Sequence, residues 1–187
     1  MRVQPLHIML FYTGKGDLGQ SHIGQKKYPK DSPVLEVLGE LDELNSLCGL
    51  ARSVKKDKAL SRSLKSVQES LFIIQAQIAW FLYPKFQSPE LKKRKIRELE
   101  QEIESMEKKI NPERGFVISG ANEKAAWLDY LRAVARRAER RAFALSKKKP
   151  LPPEILMYLN RLSSYLYALA RLELHKKHIK EPKPAYK

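Results

Sequence analysis

The stretch that decides the fold covers residues 60–81 and reads LSRSLKSVQESLFIIQAQIAWF. Its apolar residues recur every three or four positions, which is the period of one face of an α-helix. We therefore predict a long helix over about residues 57–83 that buries one stripe and stops before Pro84, because proline cannot continue a helix. The stripe consists of Leu60, Leu64, Val67, Leu71, Ile74, Ile78 and Phe81.

The same period occurs on both sides of this stretch. It predicts four more helices, over about residues 32–52, 88–110, 122–146 and 154–177. Pro33 and Pro89 each follow a serine, which is a common way for a helix to begin, and Pro112 closes the third helix. Five long helices with short connections indicate an all-α fold, an antiparallel five-helix bundle with an N-terminal glycine-containing loop. No alternation of apolar and polar residues favours a sheet.

A chain of 187 residues suits a single domain. We divide it into an N-terminal loop over residues 1–31, the bundle over residues 32–177 and a basic tail over residues 178–187. The loop holds four of the eight glycines, which places it outside the regular helices. The tail contains two prolines and is expected to fray.

Composition limits the classes of partner. The net charge of +15 favours polyanions such as nucleic acid, an anionic membrane or nucleotide phosphates, and does not choose among them. Cys48 is the only cysteine, so an internal disulfide is excluded, and its leucine neighbours indicate a small buried hydrophobe. No stretch approaches the length of a membrane span, and no secretory signal is recognisable, so we expect a cytoplasmic protein.

The N-terminal loop contains the pattern GxGxxG at residues 14–19. A dinucleotide-binding fold would need a helix directly after it, whereas Gly24 and Pro29 follow here. A phosphate-binding P-loop is also excluded, because no Gly-Lys-Ser/Thr occurs. Glycine amides can still approach a phosphate closely, and Lys15 and Lys30 add positive charge. A solvated N-terminus is the alternative interpretation.

The predicted fourth helix carries a cluster of arginines, namely Arg132, Arg136, Arg137, Arg140 and Arg141. A solvated basic face is the usual explanation of such a run. However, the rest of the chain prefers lysine, and arginine has a planar fork that binds phosphate or carboxylate in two places. The cluster therefore favours an anion-binding site.

Two polar positions interrupt apolar stripes. Asn160 lies between leucines of the fifth helix, where its amide could cap a layer of the bundle or bind a ligand. Asp42 interrupts the first helix, where it is either exposed or paired with an arginine across an interface. The four histidines do not have the spacing of a metal site in a bundle, and the sequence assigns no metal ligand. His175 and His178 are expected to be solvated.

Five segments, in this order, resemble the PduO-type ATP:cob(I)alamin adenosyltransferases, over residues 11 to about 171. They are residues 12–19 (YTGKGDLG), 39–46 (GELDELNS), 116–118 (FVI), 132–140 (RAVARRAER) and 158–163 (YLNRLS). The chain differs from the family pattern in five places. Lys15 stands where the family often has threonine, and the loop is one residue shorter near residues 20–22. Ser119-Gly120-Ala121 replaces Pro-Gly-Gly, Asp129 replaces a histidine, and Ser164 replaces an aspartate.

This resemblance implies that cobalt(I) of cob(I)alamin or a related corrinoid attacks the ribose 5′-carbon of ATP and displaces triphosphate, with Mg²⁺ present. It implies a homotrimer with ATP sites between subunits, Asp42 paired with Arg132 across the interface, and Phe116 beneath the corrinoid. A corrinoid reductase and an adenosylcobalamin-dependent enzyme fit as partners, and nucleic acid and membrane do not. The residues implied at the nucleotide are Thr13, Gly14, Lys15, Gly16, Asp17, Ser21, Lys30, Arg136, Arg137, Glu139, Arg140 and Asn160.

From the residues alone, Phe116 could instead plug the end of the bundle, since large aromatic residues are usually buried. Two other function classes also stay open. A basic helical module that binds nucleic acid would explain the charge, although the sequence lacks exposed aromatic residues interleaved with the basic ones and has no helix-turn-helix signal. A non-catalytic structural bundle would explain the helices.

Overall fold

The structure is a computed structural model that describes residues 12, 14–23, 26–54, 57–85, 87–112 and 115–186. Among these residues lie a two-stranded sheet and a bundle of five helices. Their order is β1 (Gln20–Ile23), β2 (Lys26–Pro29), α1 (Pro33–Val54), α2 (Lys58–Ala79), α3 (Lys93–Ile110), α4 (Glu123–Ser146) and α5 (Pro153–Lys176). None of these helices combines enough length with enough apolar character to span a bilayer.

The five apolar stripes meet in one core. Helix α4 packs between α1 and α5, α2 packs against α1, and α3 packs against α5. The predicted stripe of α2 is buried from Leu60 to Ile78, and α4 buries a face that runs from Leu128 to Ala142. Cys48 is fully buried, which raises the pKa of its thiol to about 12 and leaves it without thiolate at neutral pH. This confirms its interpretation as a small hydrophobe.

Two predicted helix ends are wrong. Helix α2 ends at Ala79, four residues earlier than predicted. The N–H groups of Phe81 and Leu82 donate to the carbonyls three residues before them, which is the hydrogen-bond pattern of a 3₁₀ turn. Helix α3 begins at Lys93, not near Pro89. The reason is tertiary: the N–H of Leu91 donates to Oε1 of Gln77 on α2, at 3.2 Å, which holds the chain extended before the helix begins.

The prediction that the chain has no sheet is also wrong. Strands β1 and β2 form an antiparallel hairpin in which Ser21 lies opposite Tyr28. The hydroxyl of Tyr28 donates to the carbonyl of Leu82, just beyond α2, and its ring packs against the core. Strands of four residues with one anchoring side chain are too short to produce an alternating pattern.

The C-terminal tail is not frayed as predicted. Ile179 is half-buried against the core, and its N–H donates to the carbonyl of Leu174 at 3.0 Å. Further on, the carbonyl of Pro182 accepts from the N–H of Ile118 at 2.8 Å. The tail therefore lies across the connector between α3 and α4. His175 and His178 are exposed, as predicted.

Candidate active site

The arginines of α4 divide between two faces. Arg137 faces α1, where its Nε donates to Glu40 at 2.6 Å and its Nη2 donates to Glu43. These hydrogen bonds, that to Glu40 foremost, raise the pKa of Arg137 above its usual value. Arg141 lies on the same side, 3.3 Å from Glu36. Arg137, expected at the nucleotide, therefore ties α4 to α1.

The other face of α4 presents Arg136 and Arg140 to solvent. Together with α5 they line an open cavity of about 370 Å³. On its wall, Nδ2 of Asn160 donates to Oε1 of Glu139 at 2.7 Å, so this amide bridges the two helices. The full lining is Arg136, Glu139, Arg140, Phe143, Leu156 and Asn160. Four of the residues expected at the nucleotide thus share one cavity.

Arg136 also borders a second cavity, of about 300 Å³, together with Arg132. Three arginines line this cavity: Arg136 is exposed, Arg132 is half-buried and Arg171 is buried. Nη2 of Arg171 donates to Oδ2 of Asp129 at 2.7 Å, and both side chains are almost fully buried. Arg132 lies further from the same carboxylate, with its Nε 3.9 Å from Oδ1 of Asp129. Asp129, which replaces the histidine of the family pattern, therefore neutralises buried positive charge.

Phe116 lines a third cavity, of about 470 Å³, formed by the connector, the end of α5 and the C-terminal tail. Its side chain is 78% exposed, so the plug interpretation is wrong. The second and third cavities share Tyr167 and Arg171 in their walls and therefore adjoin. An exposed aromatic ring next to a cationic cavity can contact a flat apolar ligand.

The N-terminal glycines form a tight turn, which is the other location where nucleotide-binding residues were expected. Gly14 and Gly19 have φ of +66° and +73°, which residues with side chains rarely adopt. Nζ of Lys30 lies so close to Gly16 that a Cβ there would be 3.3 Å from it. Asp17 is exposed on the turn, and Ser21 is half-buried on β1. A cation beside a glycine turn suits a phosphate. Thr13 lies outside the described residues.

The structure does not join these two locations within one chain. The hairpin that follows the glycine turn is anchored at the C-terminal end of α2, and none of the three cavities is lined by a residue of the turn. Asp42 is exposed on α1. The arginine face and the glycine turn are thus separate locations on the chain.

Sequence reasoning missed Tyr167, Arg171 and Glu181, which all line the Phe116 cavity. The Arg171 guanidinium carbon lies 4.6 Å from the centroid of the Tyr167 ring, a cation–π contact. A signal existed for Arg171, because it is a charge within the apolar stripe of α5. Buried charges are almost always paired, so a charge within an apolar stripe predicts a buried ion pair at that position.

Comparison with known proteins places the chain in a family. The family model described as "Cobalamin adenosyltransferase" matches residues 11–173. The corrinoid adenosyltransferase PduO of Citrobacter freundii is 35% identical over 91% of this chain and 51% of its own length. The corrinoid adenosyltransferase of Bacillus subtilis is 33% identical over 88% of this chain and 86% of its own. The chain spans about half the length of the PduO relatives and most of the Bacillus one.

A solved structure matches the whole bundle. It is a phenylalanine-to-alanine variant of a PduO-type ATP:corrinoid adenosyltransferase from Lactobacillus reuteri, complexed with cobalamin and ATP. It is 27% identical, covers 92% of this chain and 98% of its own, and has a TM-score of 0.86. The match in sequence and in fold confirms the predicted family: the chain belongs to the cobalamin adenosyltransferases.

Proposed function

We propose that the chain is an ATP:corrinoid adenosyltransferase. The observation that carries the proposal is the position of Arg136, between the cavity that it shares with Arg140 and Asn160 and the cavity that adjoins Phe116. The cavity that contains Arg140 and Asn160 suits a polyphosphate, and the cavity that contains Phe116 suits a large apolar ring. Relatives of the same family are named for this reaction, and one is solved with both substrates.

The arginine cavity suits the triphosphate of ATP. Guanidinium groups bind phosphate oxygens with two parallel hydrogen bonds and stay charged at all relevant pH values. Among the described residues, neither Arg136 nor Arg140 has an ion pair like that of Arg137 with α1, and both line the open cavity. Positive charge fixed there stabilises the negative charge that builds on a departing triphosphate.

The Phe116 cavity suits the corrinoid. In the proposed reaction the cobalt(I) electron pair forms the bond to the 5′-carbon, and the bond from that carbon to oxygen breaks and leaves its electrons on triphosphate. Because the metal of the substrate is the nucleophile, the protein needs no serine, cysteine or histidine triad. Its tasks are to orient the two substrates and to exclude water. The ring of Phe116 supplies an apolar contact to one face of the corrin.

Mg²⁺ fits this site as a companion of ATP. Such an ion is usually held by substrate phosphates and one or two carboxylates, not by a cage of protein ligands. No cluster of three or more acidic, histidine or cysteine side chains occurs in the described part of the chain. Glu139 is the carboxylate on the arginine cavity, and it would hold the ion there. Bound Mg²⁺ would neutralise part of the phosphate charge.

The complete site requires a homotrimer in this proposal, with the glycine turn of one subunit placed against the arginine face of the next. The separation of these two half-sites within one chain supports it. Asp42 on one subunit would pair with Arg132 on its neighbour. A reductase that delivers cobalt(I) and an enzyme that receives adenosylcobalamin would be the protein partners, and the expected location is the cytoplasm.

The test is a spectroscopic assay for adenosylcobalamin with ATP, Mg²⁺ and chemically reduced cobalamin, run beside a salt-dependent DNA-binding assay. We expect cobalt–carbon bond formation that depends on both substrates, and no DNA binding at physiological salt. DNA binding without adenosyl transfer would support the nucleic-acid module instead. Absence of both activities would support a structural bundle.

A further inference from the structure

Residues 178–186 run back from the end of α5 across the connector that carries Phe116. The contact between them is made by the main chain: the N–H of Ile118 donates to the carbonyl of Pro182 at 2.8 Å. Earlier in the tail, Ile179 packs against the core. The tail therefore holds the connector two residues beyond Phe116.

The tail is itself held by a buried charge. Oε1 of Glu181 lies 2.7 Å from Nη1 of Arg171 as an ion pair, although the angle does not meet hydrogen-bond geometry. The Arg171 side chain is only 6% exposed, and its other terminal nitrogen donates to Asp129. One buried guanidinium thus serves two carboxylates, one from α4 and one from the tail. A buried charge that loses a partner is costly, so this arrangement fixes the position of the tail.

Glu181 is a half-buried carboxyl whose pKa reflects its burial more than its ion pair. Burial, and to a lesser extent the nearby Asp129 carboxylate, raise the pKa of Glu181, while Arg171 opposes them. The anchor also belongs to the cavity wall, because Arg171, Glu181 and Phe116 all line the same space. Movement of the anchor would therefore change the shape of the cavity that Phe116 enters.

We propose that Glu181 and Arg171 are positioning residues for the reaction of the proposed function. Their ion pair fixes the tail, the Pro182 carbonyl then fixes the backbone at Ile118, and Phe116 is thereby held at the corrinoid. This inference rests on the proposed function for the identity of the ligand. A displacement of about 1 Å in a group that orients a substrate can cost about a hundredfold in rate. The competing explanation is that the tail only stabilises the fold.

The test uses Glu181→Ala in the full-length chain. Arg171 is a poor choice, because its removal leaves Asp129 buried without its partner and threatens folding. Glu181→Gln is the conservative variant, since its amide oxygen can still contact Arg171. Glu69→Ala is the matched control, because Glu69 forms an exposed ion pair with Lys65 on α2. Two readouts are needed: steady-state kinetics with each substrate varied, and hydrogen exchange of the Ile118 amide.

For Glu181→Ala we expect kcat/KM for the corrinoid to fall at least about tenfold, with the KM for ATP within about twofold of wild type. The Ile118 amide should exchange at least about tenfold faster, because its acceptor is no longer held in place. Glu181→Gln should recover most of both properties, and Glu69→Ala should change neither.

Two results would overturn the proposal. If Ile118 exchanges at the wild-type rate in Glu181→Ala, the ion pair does not hold the connector. If exchange accelerates while the corrinoid kinetics stay unchanged, the connector is held without any effect on the site. If the wild-type chain shows no adenosyl transfer, the proposed function is refuted. The second readout would then be the binding of cob(II)alamin, measured by its absorption spectrum, in place of the kinetics.

Discussion

Arg136 and Arg141 are both exposed arginines on α4, but they have different surroundings. Arg136 borders two cavities, whereas Arg141 lies 3.3 Å from Glu36 on the side that faces α1. We predict that Arg136→Ala nearly abolishes adenosyl transfer. A charged donor lost from a water-excluded site costs about 3 kcal/mol in transition-state stabilisation, or roughly a hundredfold in rate. The measurement is kcat/KM with ATP varied.

Arg141→Ala is the control for this variant. It removes the same charge five residues further along the helix, and an exposed ion pair contributes about 1 kcal/mol or less to stability. Its activity should stay within about twofold of wild type. If Arg136→Ala retains near wild-type turnover at both saturating and limiting ATP, Arg136 does not bind the nucleotide.

Phe116 offers a second test at the level of single residues. Because its side chain is mostly exposed, Phe116→Ala should lower the melting temperature by no more than about 2 °C, unlike a core truncation. Turnover should nevertheless fall strongly, about a hundredfold, because the ring contacts the corrin in the proposed complex. The apparent affinity for ATP should be nearly unchanged. Steady-state kinetics with both substrates varied, together with spectra of bound cob(II)alamin, measure these effects.

The result for Phe116 is informative either way. The apolar contact that we propose between this ring and one face of the corrin would exclude the lower axial ligand of cobalt, and cobalt without that ligand is easier to reduce. A variant that keeps full turnover and still forms four-coordinate cobalt(II) would place the corrinoid elsewhere. A variant that unfolds at a much lower temperature would restore the interpretation of Phe116 as a packing residue.

At the scale of the helices, Asp57 combines two roles at the start of α2. Its Oδ1 accepts from the N–H groups of Ala59 and Leu60 as an N-cap, and its Oδ2 lies within 2.5 Å of Nζ of Lys124. The hydrogen bond with Lys124, followed by that with Leu60, lowers the pKa of Asp57 to about 2. Helix α2 is thereby tied to the start of α4.

This lowered pKa predicts a pH dependence of stability. Because the folded pKa lies below the unfolded value of 3.8, the contribution of Asp57 is complete above about pH 4 and is lost as the pH falls toward 2. Asp57→Asn keeps the cap and removes the charge. Its deficit in unfolding free energy relative to wild type should therefore shrink between about pH 4 and pH 2, as measured by urea denaturation. Asp57→Ala should cost about 1 kcal/mol more than Asp57→Asn, because it also removes the cap. A deficit that does not change with pH would mean that the ion pair adds no stability.

The sequence predicts the helices of this fold better than their ends. A stripe such as Leu60 to Ile78 must be buried on one side, and that requirement alone sets the helical period. The start of α3 depends instead on the hydrogen bond from Leu91 to Gln77, and the hairpin depends on the anchor from Tyr28 to Leu82. Both contacts join residues far apart in sequence, so no local pattern reveals them.

In the candidate site, too, local patterns predict some features and contacts between distant residues decide others. Arg136, Arg140 and Asn160 were predicted and share a cavity, because residues four apart on a helix lie on one face. Arg137 was grouped with them, but one residue further along a helix is a rotation of about 100°, and this turns it toward α1. Only the packing of α1 against α4 shows that Glu40 and Glu43 are there to receive it.

For the whole molecule we predict a homotrimer in solution. Several large apolar side chains remain about half exposed on the outer faces of α4 and α5, among them Phe143, Tyr130 and Met157. Exposed apolar groups on neighbouring helices mark surfaces that partner with another chain. Multi-angle light scattering at micromolar concentration should give three times the mass of one chain. A monomer under these conditions would remove the site between subunits.

A stricter test asks whether the two half-sites belong to different subunits. Lys30→Ala alters the glycine turn, and Arg136→Ala alters the arginine face, so each variant alone should have little activity. In a trimer with sites between subunits, each site takes its turn from one chain and its arginines from the next. Random assembly of equal amounts of both variants then leaves about a quarter of the sites with two intact halves.

Co-expression of the two variants with different tags, followed by purification on both, isolates the mixed trimers. Their activity should reach roughly a third of wild type, far above either variant alone, because mixed trimers contain one intact site in three. The control is each variant co-expressed with a second copy of itself. If the turn and the arginines of one site came from the same chain, every site would carry one defect. The mixed trimers would then be no more active than their parents.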